Sequence, residues 1–277
     1  MAEFGKAPLF SMTTATLPPQ SFHYNASIAE WVPAAIFGAV ASLSVFILSA
    51  TYSPLLEAYR KLPPMKKTEW DNRMFSTTHS LFVTFAAISF FRSSLFLEPS
   101  LAKDDLVILR ATPFTFAAFG LSLGYFLLDI AMMTFYYPAL GGAEYLVHHV
   151  AAALAILTAL VTGNGHVFIM IVFVTEMTTP FVNLRWYLSN SGLRQSVWYT
   201  INGVLLFVGW LTARVLVFLY LFWYMYDHRD ELHVFTPTQK AALFGLPPIF
   251  FVLNLYWFLR ILVGMLKLVF GPKAKRA

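Results

Sequence analysis

Seven long apolar stretches follow one another along the chain, separated by short segments rich in polar residues, proline and glycine. A helix that crosses a bilayer needs about 20 mostly apolar residues, so the pattern predicts seven transmembrane helices. Only Gly163, Asn164 and Gly165 separate the fourth stretch from the fifth, which predicts a tight turn. The predicted spans are Trp31–Tyr52, Met74–Phe91, Ala111–Tyr137, Tyr145–Thr162, His166–Leu184, Val197–Tyr226 and Ala241–Leu266.

Composition supports the bilayer as the solvent of this chain. Hydrophobic residues make up 58% of it and charged residues only 12%. A soluble domain of this length could not bury so much apolar surface. The absence of cysteine excludes disulfide bonds and thiol catalysis. The fold class expected is therefore an all-α, polytopic membrane protein.

Lysine and arginine residues concentrate on one side of the predicted membrane. That side carries the loop between the first two spans and the C-terminal tail, and short basic loops normally remain in the cytosol. The expected topology has a lumenal N-terminus and a cytosolic C-terminus. This topology explains the net charge of +5, so no nucleic-acid partner is expected.

Two short motifs near the chain ends fit this topology. Asn25-Ala26-Ser27 is an N-glycosylation sequon, which is used only in the lumen. Lys273 and Lys275 near the C-terminus match a dilysine retrieval signal for the endoplasmic reticulum. The alternative for these lysines is a basic tail attracted to anionic lipid.

Polar and titratable residues inside the apolar spans lie at one depth. Such groups are costly in hydrocarbon and normally face the protein interior or a wet cavity. If the spans alternate in direction, each of these residues falls in the cytosolic half of its span, within about two turns of the boundary. The residues are His79, Asp129, His148, His149, Glu176 and Asn183.

Helical spacing indicates which of these side chains share a face. Glu176 and Asn183 are on one face of the fifth span, and Tyr125 is on the same face as Asp129. The adjacent histidines diverge by about 100°, so one can point into a cavity while the other contacts a neighbouring helix. Small residues suit close helix packing, which is the expectation for Ala152, Ala155 and Ala159 and for the pair Gly120 and Gly124.

Each polar residue also has a purely structural interpretation. His79 could be a buried hydrogen-bonding group, and Asp129 could neutralise Arg214 or a histidine. Arg73 and Arg185 suit snorkelling to the interface, with phosphate contact as the alternative. No chelating motif such as H-E-x-x-H is present, so no metal site is predicted.

Four motifs resemble those of the TLC family, named after TRAM, LAG1 and CLN8 proteins. They are W-D-N-R at residues 70–73 followed by His79, G-Y-F-L-L-D at 124–129, H-H at 148–149, and E-M-T-T-P-F-V-N-L-R-W at 176–186. The last is similar to the TLC domain-containing protein 4 branch and differs from ceramide synthases. The resemblance implies a helical barrel of the last six spans around a lipid-sized cavity. It also implies an endoplasmic reticulum membrane protein of lipid metabolism or homeostasis.

This resemblance divides the chain into four segments. A lumenal N-terminal segment covers residues 1–30, and a first transmembrane anchor covers residues 31–52. A TLC domain of six transmembrane helices covers residues 66–268, and a cytosolic basic tail covers residues 269–277.

The functional hypothesis is a histidine-dependent transfer of an acyl chain to a lipid amine or hydroxyl, with acyl-CoA as co-substrate and no bound cofactor. The expected catalytic residues are His148, His149 and Asp129, because a histidine near neutral pKa can remove a proton or carry an acyl group while a carboxylate orients it. The alternative is a non-catalytic lipid-binding protein that regulates membrane composition or trafficking. Membrane lipids are the partners in both cases, and the oligomeric state is left open. The expected substrate-binding residues are His79, Glu176, Asn183, Arg73, Arg185 and Tyr125.

Overall fold

The computed structural model describes residues 27–93 and 106–270, with side chains to residue 266. Within these residues the chain is almost entirely helical and contains no strand, and seven helices are long and apolar enough to cross a membrane. The all-α, seven-span prediction is therefore confirmed. Asn25, Lys273 and Lys275 lie outside the described residues, as does most of the N-terminal segment. The helices are α1 (Ile28–Leu55), α2 (Pro64–Arg92), α3 (Pro113–Phe135), α4 (Ala143–Thr162), α5 (His166–Asn190), α6 (Val197–Asp227) and α7 (Pro237–Leu266).

The first part of α2 is polar and was not included in the predicted span. Pro64 stands in its first turn, where a missing N–H costs nothing. Glu69 then pairs with Lys66 at 2.6 Å and with Arg73 at 2.8 Å on the same helix face. A hydropathy pattern alone misses this helical extension because the residues are charged.

Six of the helices form a closed ring, in which each packs against two neighbours. The ring order is α2, α3, α4, α7, α6 and α5, with α5 returning to α2. Helix α1 lies outside the ring against α3 and α2. The last six spans therefore form a helical barrel, and the space inside the ring holds the polar residues discussed below.

The contact of α1 with α3 is made through glycines. A methyl group at Gly124 would lie 2.6 Å from the backbone nitrogen of Ala39, and one at Gly120 would lie 2.8 Å from the carbonyl oxygen of Trp31. No real side chain tolerates such distances to backbone, so only glycine allows this approach. The expectation that Gly120 and Gly124 support close packing is confirmed, with α1 as the partner.

Two of the ring helices are irregular at the same level. Pro180 has no N–H to donate to the carbonyl of Glu176 one turn earlier, and α5 tightens into a 3₁₀ segment over Thr175–Thr178. Helix α6 widens into a π segment over Trp210–Leu216. Irregular turns of this kind are common at functional sites.

The tight turn between α4 and α5 is also confirmed. Gly163 ends α4 with a φ of 69°, and Gly165 precedes α5 with a φ of 76°. Both values are in the left-handed region that glycine adopts without strain. The backbone N–H of Gly165 donates to the carbonyl of Ile108 at 2.7 Å, which joins this turn to the segment before α3.

Candidate functional site

The helical ring encloses a polar chamber of about 310 Å³. Its wall includes side chains from α2, α3, α4, α5 and α6, which the chain order leaves far apart. Charged and hydrogen-bonding groups face this space, as expected for a wet cavity inside a membrane protein. They include Asn72, Arg73, Tyr125, Asp129, His148, His149, Glu176, Asn183 and Arg214.

A second, apolar cavity of about 90 Å³ extends from the histidines toward the turn between α4 and α5. Its wall is mainly aliphatic and aromatic, and Phe218 and Phe250 are representative. Ala152, Ala155 and Ala159 line this cavity. Their small side chains leave free volume inside the ring, rather than only allowing a close helix contact.

His148 and Glu176 line both cavities, together with Phe126. These residues form the boundary between the polar chamber and the apolar cavity. A lipid has the same two-part character, because a polar group is joined to an apolar chain. The ring interior therefore matches an amphiphile held with its polar end in the chamber.

Asp129 on α3 and His149 on α4 lie against each other on one side of the chamber. Oδ2 of Asp129 lies 2.9 Å from Nδ1 of His149, although the direction of approach is outside the range of a hydrogen bond. The side-chain amide of Asn72 donates to Oδ1 of the same carboxylate at 2.7 Å. The hydroxyl of Tyr125, one turn before Asp129, donates to Oδ2 at the longer distance of 3.5 Å. Asp129 is therefore held in position and can stabilise a positive charge on His149.

The two other histidines of the site have ring nitrogens without partners. Nδ1 of His148 and Nε2 of His79 are buried and have no hydrogen-bond partner among the described residues. The ring of His79 is stacked on Tyr125 with centroids 3.7 Å apart, so its orientation is fixed. His148 packs edge-on against Phe250 and Trp257 of α7. A buried ring nitrogen without a partner is costly unless a ligand or water satisfies it.

Glu176 forms an ion pair with Arg214 across the ring, at 3.1 Å. The guanidinium also donates to the hydroxyls of Thr178 at 2.6 Å and Thr179 at 3.0 Å, and it lies 4.6 Å from the ring centre of Trp210. The 3₁₀ segment of α5 carries the carboxylate and the π segment of α6 carries the guanidinium. The two irregular helices are therefore joined by one buried charge pair.

A third group lies where α2 meets α5. Arg73 donates to the amide oxygen of Asn183 at 2.9 Å and pairs with Glu69, and its guanidinium lies 4.9 Å from the ring centre of Trp186. Asn183 in turn donates to the hydroxyl of Thr77 at 2.9 Å. Arg73 and Asn183 thus face the chamber from fixed positions and are also part of a helix–helix contact.

Arg185 lies apart from the other predicted site residues. It does not line the polar chamber but a separate cleft, where its guanidinium lies 4.1 Å from the ring centre of Tyr199. The sequence analysis also missed Asn72, because this residue precedes the apolar part of α2. Its adjacency to Arg73 in the W-D-N-R motif was the available signal.

The donor set does not indicate a metal centre. Within residues 27–93 and 106–270, no group of three or more His, Asp or Glu side chains is arranged to hold a metal ion. The arrangement suits proton transfer and hydrogen bonding to a polar lipid group, since it combines imidazole, carboxylate and amide groups in an enclosed space.

Comparison with known proteins gives a consistent picture. The family model TRAM_LAG1_CLN8, described as the TLC domain, matches residues 69–263. TLC domain-containing protein 4-B of Xenopus laevis is 25% identical over 263 residues, covering 90% of this chain and 96% of that protein. TLC domain-containing protein 4 of Homo sapiens is 25% identical over 239 residues, covering 83% of this chain and 85% of that protein.

Protein CLN8 of Rattus norvegicus is also similar, with 25% identity over 229 residues that cover 80% of this chain and 77% of that protein. No solved structure gives a significant match. The family match covers four of the six ring helices entirely and most of α2 and α7, so it includes every predicted site residue. The sequence motifs, the fold and this family match agree, and the chain belongs to the TLC domain family.

Proposed function

We propose that this protein is a lipid acyltransferase of the endoplasmic reticulum membrane, which moves an acyl chain from acyl-CoA to a lipid amine or hydroxyl. Membership of the TLC domain family supports a role connected with membrane lipids. The specific reaction is inferred from the chemistry of the ring interior, and the side of entry is inferred from the basic loops.

The observation that carries the proposal is the position of the histidine pair. His148 stands at the boundary of the polar chamber and the apolar cavity, and His149 stands in the chamber 2.9 Å from Asp129. An acyl chain in the apolar cavity would place its thioester carbonyl beside His148. An acceptor in the polar chamber would then meet that carbonyl beside His149.

The proposed reaction is a direct transfer. His149 removes the proton from the acceptor hydroxyl or amine as the acceptor oxygen or nitrogen attacks the thioester carbonyl carbon. The negative charge that develops on the carbonyl oxygen is stabilised by an N–H of His148. The carbon–sulfur bond then breaks, and the proton on His149 passes to the sulfur, so that acylated lipid and free CoA are formed.

The remaining residues position these groups. Asn72 and Tyr125 hold the Asp129 carboxylate, which stabilises the imidazolium of His149 while it carries the proton. His79 lines the apolar cavity beside His148, and its unpaired Nε2 is available to the same carbonyl group. Glu176 and Asn183 on α5 and Arg73 on α2 complete the polar wall of the chamber.

The test uses the purified full-length protein in lipid nanodiscs, supplied with palmitoyl-CoA and a panel of lipids that have a free hydroxyl or amine. Release of free CoA and formation of acylated lipid are measured together. We expect turnover in the unaltered protein. We expect a fall of about 10²- to 10⁴-fold in His149→Gln, because a general base contributes that much. His233→Gln is the matched control, since this exposed histidine lines none of the cavities described.

One observation favours a second function, a non-catalytic lipid-binding protein. The unpaired nitrogens of His79 and His148 would accept or donate hydrogen bonds to a lipid polar group without any proton transfer. Substitution of both His148 and His149 by Gln keeps hydrogen bonding but removes the base. Retained function in cells lacking the natural gene, together with no turnover of palmitoyl-CoA by the purified protein, would establish the binding protein and exclude the acyltransferase.

A further inference from the structure

A third cavity lies beside the polar chamber, on the side where α5, α6 and α7 meet. This cleft has a volume of about 280 Å³. Its polar contributions are the guanidinium groups of Arg185 on α5 and Arg260 on α7, together with Tyr145 on α4. None of the residues that line it is acidic. The cleft is therefore electropositive. It opens to the surface of the protein at Arg260 and Gly264, which are both exposed.

The two arginines are positioned but not neutralised. Arg185 is stacked over Tyr199 and donates to the carbonyl of the same residue at 3.4 Å. Arg260 donates to the hydroxyl of Tyr256 at 3.1 Å. Neither arginine forms an ion pair with a carboxylate in the part of the chain that the structure describes. Each guanidinium has five N–H groups, so most of them remain available to a ligand.

Two glycines keep this cleft open. A methyl group at Gly203 would lie 2.6 Å from Nη1 of Arg185, so a side chain there would displace the end of this guanidinium from its present position against α6. A methyl group at Gly264 would meet nothing within 4 Å, and this residue faces the free space of the cleft. The position of Arg185 and the volume in front of it therefore both depend on absent side chains.

The cleft shares a wall with the polar chamber. Tyr145, Trp210 and Trp257 line both spaces. The rings of Tyr145 and Trp257 are 5.1 Å apart, and those of Trp210 and Trp257 are 6.2 Å apart. A ligand held in the cleft would thus be separated from the chamber that contains His149 by these aromatic side chains and by Val182, which also lines both spaces.

We propose that the cleft binds the phosphate group of a membrane phospholipid through Arg185 and Arg260. Planar guanidinium groups bind phosphate oxygens in pairs of hydrogen bonds, and they are the preferred residues for this purpose. The remaining wall is apolar, with Leu206, Ile261 and Met265 suited to the acyl chains of a lipid. This inference deepens the proposed function by naming a phosphate-bearing lipid as its substrate class, and it rests on that function only for the link to catalysis.

The experiment measures binding to the full-length protein in detergent micelles, by change in intrinsic tryptophan fluorescence. The probes are dioctanoyl phosphatidic acid, dioctanoylglycerol, which lacks the phosphate, and CoA, which carries phosphate without a lipid. We expect phosphatidic acid to bind more tightly than dioctanoylglycerol. We expect its dissociation constant to rise at least 10-fold in the variant carrying Arg185→Gln and Arg260→Gln, because two charged hydrogen-bond donors are lost.

Two single variants protect the test from a folding defect. Arg260→Gln changes an exposed residue, and Gly264→Leu narrows the cleft while keeping both arginines, at a position where an added methyl group meets nothing within 4 Å. Both should weaken binding of phosphatidic acid. Arg229→Gln is the matched control, because Arg229 is also stacked over a tyrosine, Tyr226, but lines none of the cavities described. It should bind phosphatidic acid as the unaltered protein does.

Three results would overturn the proposal. They are equal affinity for phosphatidic acid and dioctanoylglycerol, unchanged affinity for phosphatidic acid in the double arginine variant, and tighter binding of CoA than of phosphatidic acid. His149→Gln separates this proposal from the acyltransferase, since it should lower turnover about 10²- to 10⁴-fold and leave phosphatidic acid binding intact. Failure of turnover with intact arginine-dependent binding would remove the reaction and keep the phosphate site.

Discussion

The ion pair between Glu176 and Arg214 provides a quantitative test of how the ring is held together. Glu176→Gln leaves the guanidinium with three neutral acceptors, Thr178, Thr179 and Asn254, but without a compensating charge. Arg214→Met leaves the Glu176 carboxylate with the hydrogen bond from Thr179 but without a compensating charge. Removal of one partner of a buried ion pair costs about 3–5 kcal/mol. We expect Glu176→Gln at the lower end of this range and Arg214→Met at the upper end.

The double variant decides between coupled and independent contributions. If the two changes acted independently, their costs would add to roughly 8 kcal/mol. If the charges stabilise each other, the double variant leaves no uncompensated charge, and its cost should be no larger than that of Arg214→Met alone. The assay is reversible unfolding of the purified protein in mixed micelles with increasing denaturing detergent, followed by far-ultraviolet circular dichroism. Additive costs in the double variant would refute the conclusion that this pair joins α5 to α6.

Further predictions concern other contacts of the ring. Asn72→Leu should lower stability by about 1–3 kcal/mol, because the buried Asp129 carboxylate loses its 2.7 Å donor; the same unfolding assay measures this. Gly124→Leu should lower the free energy of unfolding by at least about 1–3 kcal/mol, because the larger side chain forces α1 away from α3. A disulfide between two cysteines introduced for this purpose, one on α1 and one on α3, should then form more slowly. Burial of Tyr59, aided by its 2.8 Å hydrogen bond to the Asp71 carboxylate and by that charge, raises its pKa to about 12. The neutral phenol thus contributes stability that is complete below pH 10 and is lost as the pH rises through 12. When the melting temperature is measured as a function of pH from 10 to 12, it should therefore fall more steeply in the unaltered protein than in Tyr59→Phe.

The depth of the polar residues was the part of the site that the sequence predicted well. Alternate helices run in opposite directions, so a residue near the end of one span and one near the start of the next are at the same level. The structure brings Asp129, His148, His149 and Glu176 to one chamber, as this reasoning requires. Their roles in acyl transfer remain predictions.

The neighbours of each helix could not be predicted in the same way. Helix α4 packs against α7 and α3, although α5 follows it directly in the chain. For this reason the sequence suggests Asp129 as a partner for Arg214, whereas the structure pairs Arg214 with Glu176. The position of Arg185 in the motif at residues 176–186 suggests that it belongs with the chamber residues. In the structure it instead faces the separate cleft on another side of α5. A helical face can be read from spacing, whereas the helix opposite that face depends on the whole ring.

The π segment of α6 has a consequence for the phase of that helix. A wider turn accommodates an additional residue, so the part after Leu216 is rotated relative to a regular continuation of the part before Trp210. Deleting one residue from this segment would remove the residue that the wide turn absorbs, so α6 could wind regularly while its two halves keep their present orientation relative to each other. Arg214 lies within the segment, so its direction toward Glu176 is the feature that the deletion would change. The extra residue of α6 therefore serves the aim of one guanidinium, and a one-residue deletion would separate that aim from the packing of the rest of the helix.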